Sequence, residues 1–205
     1  MADLMPMIHA ERASLADYLA TLAPEQWKAP TWCDKWSVQQ VTGHLVASAH
    51  ISAPHFFAGF VGSGFSFDKF VDKDLRQYAG GSPADVLARF REIITSTRKP
   101  PGPAYVALGE VMVHGEDIRR ELGSPGDHKT EHSVTLAEMY RKTGPPLRAR
   151  KRLAGLSLRA TDADWRCGDG PEVAGPIMSL VMAMVGRRSA LADLEGPGLE
   201  TLRSR

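Results

Sequence analysis

Cysteine is scarce in this sequence. Cys33 and Cys167 are the only two in 205 residues, and neither a Cys-x-x-Cys nor a His-Glu-x-x-His pattern occurs. A disulfide-stapled scaffold, a paired-thiol redox motif and the metalloprotease helix are thereby excluded, and two such distant thiols are expected to be reduced. An excess of either charge is also missing: 25 Lys and Arg against 24 Asp and Glu leave a net charge of +1. That balance excludes a broad basic footprint for nucleic acid or for an anionic membrane. The densest basic cluster, Arg148-Ala-Arg150-Lys151-Arg152, has no interleaved aromatic and reads as a solvated connector. Long apolar runs are absent too. The longest, residues 174–186, contains Pro176 and Ser179 and is too short to span a bilayer. Glu11 and Asp17 interrupt any apolar core near the N-terminus, so no secretory leader is expected and a cytoplasmic location is. Repeats and low-complexity segments are missing. What remains, 43% hydrophobic and 24% charged, is the composition of a folded globular chain.

The most informative stretch is Gly109-Glu110-Val111-Met112-Val113-His114-Gly115-Glu116-Asp117-Ile118-Arg119-Arg120-Glu121. It reads as helix, stopped by Gly123 and Pro125. Glu110 and His114 are four apart and share one face; Asp117 and Glu121 continue the stripe. At about 100° per residue the four fall within roughly 60°. Ala107, Val111, Ile118 and Leu122 flank them on one side, Val106 and Val113 on the other. Gly109, Met112, Glu116, Arg119 and Arg120 form the opposite, solvent-like arc, where both arginines are expected to be solvated. A polar stripe within an apolar half is costly unless its groups are paired, protonated or bound to metal. A second helix opens at Ser37-Val38-Gln39-Gln40, a capping-box pattern. On it His44 shares its half of the wheel with Val41, Leu45, Ser48 and Ile51. One inward histidine and an inward Glu-x-x-x-His pair supply three ligands to one ion. Two imidazoles and a carboxylate suit a borderline divalent metal, most often zinc, with a coordination position left open. The competing reading is a satisfied Glu110–His114 pair beside a core histidine.

Taken in order, residues 3–22 read as an amphipathic helix closed by Pro24. The tryptophan-rich segment 27–36 reads as a lid over one bundle end, with substrate contact as the alternative, and Cys33 within it as a packing residue or a catalytic thiol. The His44 helix is expected over 37–53, and His50 and His55 read as ordinary histidines. Residues 56–67, aromatic and glycine-rich, read as a flexible loop at a pocket mouth, and 67–78 as a helix. Ser82-Pro83-Ala84-Asp85 is a strong helix start, the helix running to about Arg98 with Val86, Phe90, Ile93 and Ile94 inward. Together these give four main helices in a bundle, over residues 1–147. A helix over 130–143, capped by Thr130, precedes a boundary at Gly144-Pro145-Pro146. Beyond it, over 148–205, the pattern changes to a small α+β unit. Leu156-x-Leu158-x-Ala160 alternates like a strand, 162–165 like a turn, 168–175 like a loop, 176–191 like a helix and 199–202 like a last strand. At that size the unit should pack on the bundle.

Trp27, then Thr31-Trp32-Cys33-Asp34-Lys35-Trp36-Ser37-Val38 and Gly43-His44-Leu45, resemble the start of the mycothiol-dependent maleylpyruvate isomerase family. Glu110-x-x-x-His114-x-x-Asp117-Ile118-Arg119 is similar to its second motif. Gly170-Pro171-Glu172-Val173-x-Gly175-Pro176, Gly186-Arg187 and Leu194-x-Gly196-Pro197-Gly198 are similar to its C-terminal part. The resemblance implies a DinB-like four-helix bundle followed by a sterol-carrier-like C-terminal unit. It implies a metal at His44, Glu110 and His114, with mycothiol as the low-molecular-weight thiol cosubstrate at the open position. The metal-stabilised thiolate adds to an electrophilic carbon; release after rotation gives isomerisation, and retention gives S-transfer. Asp117 is implied as a partner orienting a histidine, and Arg187, with Arg188 as the alternative, as the essential arginine facing a substrate carboxylate. The partners expected are a small electrophile and the thiol, with no nucleic acid or membrane, in a monomer or homodimer. The alternative is a non-catalytic module binding an apolar ligand or regulatory partner, suggested by the 56–67 loop, with the metal structural or absent.

Overall fold

A computed structural model describes residues 3–33, 36–51, 61, 75, 77–99, 102–145 and 147–205. The chain is mainly helical with a small α+β part, and packs as two compact units, Met1–Gly126 and Asp127–Arg205.

Among the described residues the first unit has the helices α1 (Met5–Leu19), α2 (Val38–His50), α3 (Pro83–Glu92) and α4 (Ala104–Glu121), with a 3-10 turn at Gln26–Lys28. Their starts follow local chemistry. Ser37 caps α2, its Oγ accepting from the Gln40 N–H while Gln40 Oε1 accepts from the Ser37 N–H at 2.9 Å. Ser82 and Asp85 make the same reciprocal pair at α3, followed by Pro83 in the first turn. At the far end of α4, Gly123 takes φ 72° and its N–H returns to the Arg120 carbonyl. α3 buries Val86 and Phe90 and ends at Glu92, short of the expected Arg98, with Ile93 buried just past its end. Buried Arg12 of α1 takes over there, donating to the Ile93 and Ser96 carbonyls at 2.8 and 2.9 Å. α2 packs on α3 and α4, and α1 on α3 and α4, so α4 is enclosed from two sides.

That enclosure corrects the expected solvent arc of α4. Gly109, Met112 and Glu116 are buried. Arg120 pairs with Glu116 instead of facing water, and Arg119 lies over the Tyr18 ring at 4.4 Å and donates to the Ser14 carbonyl. Glu121, expected on the inward stripe, is exposed in the last turn. The readings of a loop over 56–67 and a helix over 67–78 lie outside the described residues, apart from 61, 75, 77 and 78.

In the second unit α5 (Thr130–Tyr140) packs on α7 (Ile177–Met184), a helix apolar and buried on every side. Lys129, not Thr130, is the residue preceding α5. α6 (Ala149–Leu153) leads to β1 (Ser157–Ala160), which buries Leu158 and Ala160. β1 pairs antiparallel with β2 (Arg166–Cys167) and parallel with β3 (Glu172–Gly175), giving the order β2-β1-β3 with Val173 opposite Leu158. β3 replaces the loop expected at 168–175. The helix expected over 176–191 breaks at Gly186, whose φ of 90° no other residue adopts comfortably, and resumes as a 3-10 turn at Arg188–Asp193. The strand expected at 199–202 is instead helix α8 (Leu199–Arg203), with Leu202 facing the core. Among the described residues no helix is long and apolar enough to cross a membrane.

Candidate metal centre

The centre is built where α2 meets α4. His44 comes from the middle of α2, six residues past its first, and Glu110 and His114 from successive turns of α4. His44 Nε2 lies 2.9 Å from Glu110 Oε2, and His114 Nε2 lies 3.8 Å from the same oxygen. All three ligand atoms fall within 4.8 Å of one another. The imidazole rings stand nearly perpendicular, 82° apart, with centroids 5.2 Å apart. The side chains keep a little exposure, 16% for His44, 28% for Glu110 and 13% for His114, so the cluster is recessed and still reachable.

Asp117 completes it from below. Its carboxylate, fully buried, accepts a hydrogen bond from His114 Nδ1 at 2.9 Å. The proton therefore sits on Nδ1, and in the neutral ring Nε2 carries the lone pair on the side of Glu110 and His44. The Asp117 carbonyl accepts from the Trp32 N–H at 3.0 Å, which ties the tryptophan loop to α4 at the site. Two members of that loop reach the cluster. Trp36 packs on His44 with ring centroids 4.8 Å apart and on His114 at 6.2 Å. Cys33 joins His114 and Asp117 in a second group whose ligand atoms lie within 4.8 Å of one another. The sequence placed both residues in a lid; their position a few residues ahead of the His44 helix was the available signal.

The electrostatics favour a cation. Burial of His114 by itself disfavours the imidazolium. The Asp117 hydrogen bond, the adjacent Cys33 thiol and the charges of Glu110 and Asp117 overcome that and push its pKa up to about 10. Two carboxylates around two imidazoles hold a positive charge more readily than none.

Arg187 belongs to the second unit. It is half-buried just before the 3-10 turn and lines a cavity with Arg152, Arg188, Arg203 and Arg205. The three metal-ligating candidates lie wholly in the first unit.

Residues 8–119, which include His44, Glu110, His114 and Asp117, match the family model of the mycothiol maleylpyruvate isomerase N-terminal domain. Two solved structures are similar in fold: a mycothiol-dependent maleylpyruvate isomerase, with a TM-score of 0.58, and a point mutant of it, with 0.59. Each is 11% identical, and the alignment covers 94% of this chain and 91% of the other. A search of curated protein sequences gives no match. With more than half of its length inside the family model, the chain belongs to the mycothiol maleylpyruvate isomerase family, a family of isomerases.

Proposed function

We propose that the protein is a metal-dependent isomerase that uses mycothiol as its thiol cosubstrate, with a zinc ion held by His44, Glu110 and His114. The observation that carries this reading is the convergence of two imidazole nitrogens and one carboxylate oxygen within 4.8 Å. The donor chemistry fits a borderline divalent ion, and three protein ligands leave room for a fourth, exchangeable one. Such an ion supplies the positive charge that keeps a thiol as its thiolate at neutral pH. The chain's own residues do the rest. Asp117 holds the Nδ1 proton of His114 and fixes the ring's orientation. Trp36 covers both imidazoles with apolar surface and limits water there. Arg187 offers a planar fork to a substrate carboxylate.

The reaction class is addition of the thiol sulfur to an electrophilic carbon of a small carboxylate-bearing substrate. Rotation about the resulting single bond and expulsion of the thiol return the isomer; retention of the adduct makes the same site an S-transferase. Support comes from the family assignment and from the fold neighbour, a mycothiol-dependent maleylpyruvate isomerase. We propose further a helical unit over 1–147 and an α+β unit over 148–205, a cytoplasmic location, and a monomer or homodimer.

The test is metal content after purification from metal-limited medium with zinc added back. One zinc per chain, lost in His114→Ala, is expected; no bound metal in either protein overturns the reading. Thiol dependence is read separately, as turnover of an electrophile panel with and without mycothiol.

A further inference from the structure

The second unit carries a cavity of about 190 Å³ whose wall includes five arginines, Arg152, Arg187, Arg188, Arg203 and Arg205, and among the described residues lining it there is no aspartate or glutamate. A water takes about 30 Å³ of liquid, so the space holds roughly six waters or one small polyatomic anion. Like charges around so small a volume repel one another, and the contacts of Arg152, Arg188 and Arg205 go to backbone carbonyls, which do little to relieve it. Arg152 donates to the carbonyls of Leu147 and Met184. Arg205 donates to those of Arg152 and Ala154 at 2.9 and 2.6 Å, and Arg188 to that of Arg203 at 2.9 Å. Carbonyls orient a guanidinium and bring no net charge. Among the described residues Arg203 of these four pairs with a side-chain carboxylate, that of Glu200, which is itself 79% exposed. Each guanidinium has five N–H donors, so one or two anchoring bonds leave others for a ligand.

The backbone is shaped for this arrangement. At Gly186, with φ 90°, a Cβ would stand 2.9 Å from Arg152 Nη2, so a side chain there would push Arg152 aside. Burial lowers the Arg152 pKa from its ordinary value. The overall charge of the chain is nearly balanced, which makes this concentration of one sign local.

We infer that the arginine-lined cavity of the second unit is a binding site for a small, multiply charged oxyanion of the phosphate class, held by Arg152, Arg188, Arg203 and Arg205. Planar guanidinium forks match tetrahedral oxyanions in pairs, and two or more negative charges suit four or five cations better than one. Arg187, which lines the same cavity, is the arginine proposed above for a substrate carboxylate; the binding inferred here rests on the other four and does not depend on the metal assignment.

The experiment is isothermal titration of the full-length protein with inorganic pyrophosphate and with phosphate, at ionic strength matched with chloride. One saturable site is expected, tighter for pyrophosphate. The exposed-side double substitution Arg203→Gln and Arg205→Gln should weaken it about tenfold or more, the effect of losing charge-assisted hydrogen bonds. Arg188→Lys, which keeps the charge and loses the fork, should weaken it less. Absence of saturable binding to the unsubstituted protein overturns the inference, as does equal affinity in the double variant with its circular dichroism intact. Heat evolved equally with chloride in place of the oxyanions overturns it too. Because the readout is binding, it stays informative if the metal assignment fails.

Discussion

Asp117 Oδ2 accepts a hydrogen bond from His114 Nδ1 at 2.9 Å across three residues of one helix, and the same residue's carbonyl accepts the N–H of Trp32. One fully buried aspartate thus fixes the imidazole that faces Glu110 and anchors the loop carrying Cys33 and Trp36. The i,i+3 spacing makes the first bond available to any helix with this sequence; the second depends on the loop returning to α4.

Asp117→Asn is expected to weaken zinc binding by about 10- to 100-fold, the usual effect of removing the partner that orients a ligating histidine. The amide is nearly isosteric but no longer negative, so it holds the ring less firmly and draws the cation less. Competition against a chromophoric chelator measures the constant directly. An unchanged constant would mean that Asp117 serves only to anchor the loop.

The elements legible in the sequence were those with short-range causes. The reciprocal caps at Ser37–Gln40 and Ser82–Asp85 could be read from four residues each. Glu110, His114 and Asp117 could be placed on one face by spacing alone. Glu116 could not be placed correctly that way. Its arc looked solvated because it held Glu116, Arg119 and Arg120, yet α1 packs on that side. There Glu116 is satisfied by Arg120 and by the Gly126 N–H at 2.7 Å. A polar arc has the same composition whether its charges meet water or one another. β3 was hidden for another reason. Gly168, Gly170 and Pro171 announce a loop, and what makes 172–175 a strand is its pairing with β1, each residue opposite one fifteen positions earlier. Long-range pairing leaves no local trace.

Stability should fall on the acid side partly through Glu138. The hydrogen bonds from Arg141 lead in holding its carboxyl below the ordinary value of 4.5, with Lys142 and Trp165 adding to them. A depressed pKa means that the unfolded chain binds the proton more readily. The stabilisation is therefore fully present above about pH 4.5 and is lost as pH falls through the lower, folded value. Because Glu138 is 40% exposed, solvent screening keeps the effect small. Urea unfolding of Glu138→Gln against the unsubstituted protein should show a gap at about pH 7 that narrows as the pH is taken below the ordinary carboxyl value. A gap that widens on acidification would contradict the assignment.

Two glycines adjoin the proposed ligands and should respond oppositely to alanine. Gly43 precedes His44, and a Cβ there would stand 2.6 Å from Ala79 Cβ and 2.7 Å from its Cα and N. Backbone cannot swing aside like a side chain, so α2 or the segment at Ala79 must shift. Overpacking of this kind costs about 1–3 kcal/mol, against at most about 1 kcal/mol gained in helix propensity. Gly115 follows His114, and a Cβ there meets only the Leu15 methyls at 3.6 and 3.8 Å, ordinary contact. Gly115→Ala should therefore stabilise by about 0.5–1 kcal/mol, the helix-interior advantage of alanine. Gly43→Ala should also weaken zinc binding, because the shift is transmitted to His44 on the next residue, whereas Gly115→Ala should leave it unchanged. Thermal unfolding and chelator competition on both variants read the two effects separately. A stable Gly43→Ala protein with normal affinity would show that α2 does not owe the position of His44 to its close approach to Ala79.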